Sequence, residues 1–438
     1  MADAAAFQAE IFQNPYLPAG GTVVDAVVTV TASGGGPVTA AGSAQSVTPS
    51  AAQVIMVDCS GSMANPAIKM WEAKKATMAA IDTLRDGVAF AVVSGRNDAD
   101  LVYPLRPQLV PANQQTRYEA KAAVERLNPA GGTAIGRWLA MANTLFAGHP
   151  AEVKHAILLT DGRNQHETAE QLAAVLRACE GRFICDARGV GADWVGNELL
   201  TIASALLGTA DGLPDPAGLV TDFKAMTEAA MGKAVAEVTL RVWTPAGAKT
   251  RFVKQAFPHV EDLTARRVEV SPRIGDYPTG AWGSESRDYH VSVEVAPGGL
   301  GEEMLAARVS LVSQETILTQ GRVLATWTDD TALSTRINER VAHYTDQAEL
   351  ASAIQDGLAA RDRGDVETAT AKLGRAVQLA EESGHADTAK LLAKVVDVVD
   401  AGSGTVRLKK QVAGVDAEMA TVRSVKTVRV RKESTGDA

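Results

Sequence analysis

The chain predicts an α/β protein in which a doubly wound, Rossmann-like domain is inserted into an antiparallel β-sandwich and followed by a helical hairpin. Three observations carry this reading. Between residues 53 and 191, short apolar runs alternate with stretches of helical period, the signature of a parallel sheet flanked by helices. After residue 235 the hydrophobic period drops to two. One strand-like segment, residues 22–32 (TVVDAVVTVTA), stands ahead of the α/β region with too few companions to bury a face alone.

In order along the chain, residues 1–48 form the N-terminal strand segment of the β-domain. Pairing of residues 22–32 with strands beyond residue 235 makes the α/β unit, residues 49–234, an insertion. GSAQSVTPSA is the linker that crosses into it. Its strands are VIMVD from Val54, VAFAVV from Val88, AILLT from Ala156 and RFICDARGV from Arg182. The intervening helices are IKMWEAKKATMAAIDTL, QQTRYEAKAAVERL, GRWLAMANTLF and ETAEQLAAVLRAC, and a last helix spans residues 219–233. In the first helix Ile68, Trp71, Lys75 and Met78 trace the inward stripe, with Lys75 snorkelling. Residues 235–329 hold the strands EVTLRVW, TRFVKQAF, RRVEVS, YHVSVEV, AARVSLV and VLATW. Residues 330–400 turn helical through ELASAIQDGLAARDRGD, VETATAKLGRAVQLAEE and ADTAKLLAKVVDVV. Gly357, Ala369, Leu373 and Ala376 fall at the offsets of one tetratricopeptide unit, with Gly364-Asp365 at its turn. A single unit cannot bury a solenoid core, so a plain helical hairpin packed on the β-domain is expected.

Composition bounds the function. With 438 residues, 46% hydrophobic and 22% charged, the chain has the balance of a folded multi-domain protein. The N-terminus has no basic cluster ahead of an apolar run, and no window approaches the ~18 apolar residues of a membrane span. Cys59, Cys179 and Cys185 have neither zinc-site nor disulfide-framework spacing, so they are expected to be reduced packing residues in a cytoplasmic protein. The net charge of −9 is uneven, because Arg407, Lys409, Lys410, Arg423, Lys426, Arg429, Arg431 and Lys432 face only Asp416 and Glu418 in residues 405–432. Residues 401–438 therefore read as a basic flexible tail. Within it Val428 and Val430 alternate with basic residues in a strand-like pattern. Thr421, Ser424 and Thr427 beside arginines suggest phosphorylation and a phosphothreonine-reading partner.

The chemistry lies at the carboxyl ends of the predicted parallel strands, where doubly wound sheets bind ligands. VIMV runs directly into Asp58-Cys59-Ser60-Gly61-Ser62, a DxSxS motif; a second loop supplies Gly131-Gly132-Thr133; and AILLT runs into Asp161-Gly162. This order resembles the metal-ion-dependent adhesion site of the von Willebrand factor A family, over residues 53–232. The resemblance implies a divalent cation (Mg2+, or Mn2+ or Ca2+) held by the hydroxyls of Ser60, Ser62 and Thr133, with Asp58 and Asp161 acting directly or through water. Hydroxyl, carboxylate and water oxygens are the donors a hard dication takes. The family resemblance further implies that an Asp or Glu of a protein partner completes the coordination, and that site affinity is coupled to movement of the last helix, here residues 219–233. The layout also resembles bacterial stand-alone members, several of which accompany Ser/Thr kinases, phosphatases or forkhead-associated domains.

Competing readings of the same loops are weaker. Asp58 and the serines are good helix N-caps, but capping accounts for one loop and not three. GGTAIG has the glycine spacing of a phosphate loop, yet Arg137 and Trp138 stand where Lys and Ser/Thr are needed. No dinucleotide fingerprint follows the first strand, the serines lack a nucleophile elbow, and His155 and His166 read as surface or loop residues. The expected function is therefore protein recognition and not catalysis. A scaffold with incidental metal and a metal-assisted hydrolase are the alternatives. Membrane and nucleic-acid partners are not expected.

Overall fold

The computed structural model describes residues 6–34 and 50–429. The proposed linker falls almost wholly outside the described residues, as does Val430. The insertion itself is plain. Strand Val23–Ser33 pairs antiparallel with Glu285–Glu294 along ten residues, from Val23↔Glu294 to Ala32↔Glu285, across the 50–234 unit. Its inward side chains Val24, Ala26, Val28 and Val30 are buried against Leu240, Val242, Val309 and Trp327 of the facing sheet, which is why this segment cannot be stable alone.

The β-domain is a sandwich of a five-stranded and a six-stranded sheet. The first runs in the order Ala6–Gln13, Val23–Ser33, Glu285–Glu294, Lys249–Phe257, Glu261–Asp262. The second runs Val268–Ser271, Ile274–Trp282, Val235–Trp243, Glu303–Ser313, Thr316–Thr328, Tyr16–Pro18. Ile274–Trp282 is a strand the apolar pattern does not announce, because Gly275, Pro278 and Gly280 interrupt it. Its partner Val235–Trp243 accommodates it with register shifts between Val235 and Thr239.

The inserted head is doubly wound. Strands Ala210–Leu213, Ile184–Val190, Val153–Thr160, Ala51–Asp58 and Ala89–Gly95 run parallel in that order, and Ala99–Tyr103 adds an antiparallel edge. Helices Ile68–Thr83, Gln114–Glu125 and Leu219–Met231 cover one face, and Ile135–Ala147, Ala169–Cys179 and Gly196–Ala205 the other. The first helix corrects the expected stripe. Met70, Ala73, Ala76, Ala80 and Ile81 face the sheet, whereas Ile68 and Trp71 are 44% and 54% exposed and Lys75 Nζ sits 3.9 Å from the Trp71 ring centroid. Small residues let this helix lie close to its neighbours, and the bulky ones are left on the outer edge.

The helical region begins as expected, with Glu339–Asp362 and Val366–Glu382 packed through Leu350, Ile354, Leu358, Leu373 and Val377. Gly364 adopts the left-handed conformation (φ +77°) that the tight turn requires, and Asp365 caps the second helix by accepting from the Thr368 amide. Tyr344 anchors the pair on the β-domain beside Val27 and Ala256, its hydroxyl donating to Asp288. Two expectations need correction. Helix Ala386–Val395 stops where VDVVD alternates, and Val396–Asp400 pairs antiparallel with Thr405–Leu408. Residues 401–429 are also not a flexible tail: helix Gly414–Arg423 buries Met419, Ala420, Thr421 and Val422. The basic residues misled because several are counterions to the body. Arg423 and Lys426 both pair with Asp211, at 2.8 and 2.6 Å, and Arg429 pairs with Asp288 at 2.9 Å.

Candidate metal site

Three loops meet at the carboxyl end of the head sheet. Strand Ala51–Asp58 is buried along nearly its whole length, so the backbone is fixed up to Asp58 and the next residues emerge at the sheet edge. The first loop is tied to its neighbours by the backbone: Cys59 N donates to Gly95 O at 2.8 Å, Ala130 N to Cys59 O at 2.7 Å, and Gly61 N to Gly131 O at 2.9 Å. The second loop thereby brings Thr133 to the serines. The third follows strand Val153–Thr160 and brings Asp161.

All five expected residues converge. Ser60 Oγ and Ser62 Oγ are 2.9 Å apart, and Ser62 Oγ donates to Asp161 Oδ1 at 2.6 Å. A side chain at Gly162 would touch both Ser62 Oγ and Thr133 Oγ1, at 3.5 and 3.6 Å from its Cβ, so these two hydroxyls border one point. Asp58 lies fully buried beneath them and accepts from Ser60 N (2.7 Å), Thr160 Oγ1 (2.7 Å) and Asp161 N (3.3 Å). Burial and the neighbouring Asp161 charge outweigh these donors and push its carboxyl up to about 6. The helix-capping alternative fails on geometry. Ser60 stands at the N-cap of the 3-10 turn Gly61–Ala64 but makes no side-chain capping bond, and helix Ile68–Thr83 is preceded by Ala67, again without one.

Above the hydroxyls opens a hollow of about 480 Å³, lined by Ser60, Ser62, Gly132, Thr133, Arg163 and Asp193 among others. The donor set tests whether a metal fits. Among the described residues no group of three or more His, Cys, Asp or Glu is placed to hold an ion, which disfavours a nitrogen- or thiolate-bound transition metal. Two carboxylates with three hydroxyls at a solvent-facing hollow instead fit a hard dication that keeps some of its waters. Ser60, Ser62 and Thr133 would hold such an ion, with Asp58 and Asp161 behind them. It would supply a Lewis-acidic anchor for an anionic group.

Sequence reasoning missed three neighbours. Lys69 is 5% exposed and its Nζ lies 2.8 Å from Asp161 Oδ2. His166 accepts from Thr133 N through Nδ1 at 3.2 Å and stacks where a Gly132 side chain would be. Asn97 Oδ1 accepts from Gly132 N at 2.5 Å. None follows DxSxS at a spacing that announces it. A larger cavity, of about 870 Å³, lies at the seam of head, sandwich and C-terminal segment. Charges on its walls are paired within the protein, as in Arg188–Asp222, Arg266–Glu261 and Lys426–Asp211, while the Thr427 hydroxyl on the same wall is buried without a hydrogen-bond partner.

The model of the von Willebrand factor type A domain matches residues 52–211, and that of the von Willebrand factor type A C-terminal domain matches residues 378–424. A solved von Willebrand factor type A structure from Catenulispora acidiphila is 51% identical to the chain, covers 98% of each chain and superposes with a TM-score of 0.91. The chain belongs to the von Willebrand factor type A family. The structure of VWA2, the ArnB paralog from Sulfolobus acidocaldarius, shares the fold at 13% identity, covering 97% of this chain and 98% of that one with a TM-score of 0.56. A structure of proximal thread matrix protein 1 from the mussel byssus with a zinc-occupied MIDAS motif is 24% identical over 41% of this chain and 46% of that one, at a TM-score of 0.34. No curated protein matches the chain.

The expected cysteine roles hold as packing. Cys59, Cys179 and Cys185 are free and buried, and burial pushes the Cys59 thiol up to about 12 and the Cys179 thiol to about 11. Of the three hydroxyls expected to be phosphorylated, Thr427 is half-buried. Thr421 and Ser424 are buried in the docked C-terminal segment, where Thr421 Oγ1 donates to Ala417 O and Ser424 Oγ to Thr421 O. Among the described residues no helix is long and apolar enough to cross a membrane.

Proposed function

We propose that the von Willebrand A head captures a protein partner through a divalent cation, Mg2+ in the first instance, whose free coordination position takes an Asp or Glu carboxylate of that partner. The carrying observation is the convergence of Ser60, Ser62 and Thr133 hydroxyls at a solvent-facing hollow with both aspartates buried behind them. Carboxylates in outer positions neutralise a dication less than direct ligands do, so the ion keeps attraction for an external anion. Binding is favoured over hydrolysis because the nearest imidazole, His166, accepts the Thr133 amide through Nδ1 and shows no carboxylate to orient it as a base.

Affinity capture from native lysate tests this with the immobilised chain in Mg2+, in chelator and as the Asp58→Ala variant in Mg2+. Partners retained only by the wild-type chain in Mg2+ support the reading. The same partners under all three conditions overturn it in favour of a scaffold whose metal site is incidental.

A further inference from the structure

Lys69 stands in the first turn of helix Ile68–Thr83, the first α-helix after the DxSxS loop, and its side chain is 6% exposed. Its Nζ is 2.8 Å from Asp161 Oδ2 and 3.6 Å from Asp193 Oδ2. The stem passes over Gly191, where any side chain would come within 2.8 Å of Lys69 Cε, and Gly191 holds a φ of +78° that favours glycine. The backbone thus leaves a channel for this one ammonium. Ser62 already donates to Asp161 Oδ1, so with Lys69 on Oδ2 both oxygens of that carboxylate are engaged from within the chain. A buried lysine without a partner is costly, as are two buried carboxylates without a cation. Each removes the other's cost here.

We propose that Lys69 is a tethered internal cation, one that neutralises Asp161 when no ion is bound and lowers the site's affinity for dications. The inference rests on the metal-site reading above. Counting Asp58 and Asp161 as ionised, and taking Arg163 and Asp193 on the rim as offsetting each other, the lysine leaves the site without an ion at one negative charge instead of two, and a bound dication brings it to one positive charge instead of zero. Lys69 therefore weakens attraction for the ion and strengthens attraction of the loaded site for a partner's carboxylate. Because it holds Asp161 Oδ2, it also favours that aspartate acting through water.

Calorimetric titration of Mn2+ into the chelator-stripped full chain tests this with Lys69→Gln, which keeps a donor to Asp161, and Lys69→Met, which keeps only the stem. Both variants are expected to bind Mn2+ at least about tenfold more tightly than wild type. Their melting temperatures should fall in chelator and recover in excess Mn2+, whereas that of wild type should move less. If Lys69→Met does not fold without the ion, Lys69→Gln carries the comparison. Equal affinities within about twofold, weaker binding by both variants, or an unchanged melting temperature in chelator overturn the proposal and leave the metal site standing. Binding by the variants alone supports it, since the lysine would then be the resident cation. Absence of binding in all three chains sinks the metal reading itself and the lysine proposal with it.

Discussion

Asp58 shows how the site is built one group at a time. A fully buried carboxylate needs donors, and Thr160 Oγ1, one residue before Asp161, supplies the shortest side-chain bond to it at 2.7 Å. Thr160→Val keeps the shape and removes that donor, which should cost about 1.5–3 kcal/mol in chemical denaturation, while Thr160→Ser should recover most of it. Equal stabilities of the two variants would show that Asp58 does not depend on this hydroxyl. At this scale the five ligand candidates were legible in the sequence because Asp58, Ser60, Ser62 and Asp161 sit in short motifs at strand ends, and Thr133 in a Gly-Gly-Thr loop between helices Gln114–Glu125 and Ile135–Ala147. Lys69, His166 and Asn97 were not, because their roles arise from distances between loops that no local pattern encodes.

At the scale of elements, hydrophobic period located every parallel strand of the head that is long and apolar, and missed the short edges Ala99–Tyr103 and Ala210–Leu213. Period also misassigned the buried stripe of helix Ile68–Thr83, since alanines packing closely carry little signal beside an exposed Trp71. Helix Gly414–Arg423 was read as tail because its charges dominated four inward residues. Yet Met419 packs into the head core beside Trp194, Glu418 Oε2 accepts from Gly196 N at 2.7 Å at the start of helix Gly196–Ala205, and the family's C-terminal domain extends across it. Met419→Ala should therefore destabilise the chain by about 2–4 kcal/mol in urea unfolding. Val428→Ala, at an exposed position, should stay within about 0.5 kcal/mol. Similar small effects for both would mean that the C-terminal segment is not part of the folded body.

For the whole molecule, that segment is the tie between parts far apart in sequence. It reaches the head through Asp211 and Gly196, the sandwich through Val260 N, which donates to Val425 O at 2.7 Å, and the helical pair through Gln355, which donates to Ser424 at 3.0 Å. Burial alone would raise the Asp211 carboxyl, but Arg423 and Lys426 hold it below its usual range. At the same seam burial depresses the His259 imidazole from 6.5 to about 4, aided by the Arg287 charge. A base with a lowered folded pKa contributes stability that is complete above its unfolded value and is lost as pH falls through the folded one. Between about pH 6.5 and 4, wild type should lose on the order of 1–3 kcal/mol more than His259→Gln. Parallel pH profiles for the two would remove His259 from the account.

The insertion of the head into a sandwich was readable because residues 22–32 had too few companions to bury a face alone, and the structure flanks that strand with Ala6–Gln13 on one side and Glu285–Glu294 on the other. The head thus stands with its candidate metal face at the carboxyl end of the sheet, while helix Leu219–Met231 leads from the head directly toward the sandwich strand Val235–Trp243. The most direct test of the central claim is an anomalous difference map from crystals of the full chain soaked in Mn2+. A peak is expected within the hollow bounded by Ser60 Oγ, Ser62 Oγ and Thr133 Oγ1, and it should disappear in Asp58→Ala. No peak there, or one that persists in the variant, would contradict a metal site built from these three loops.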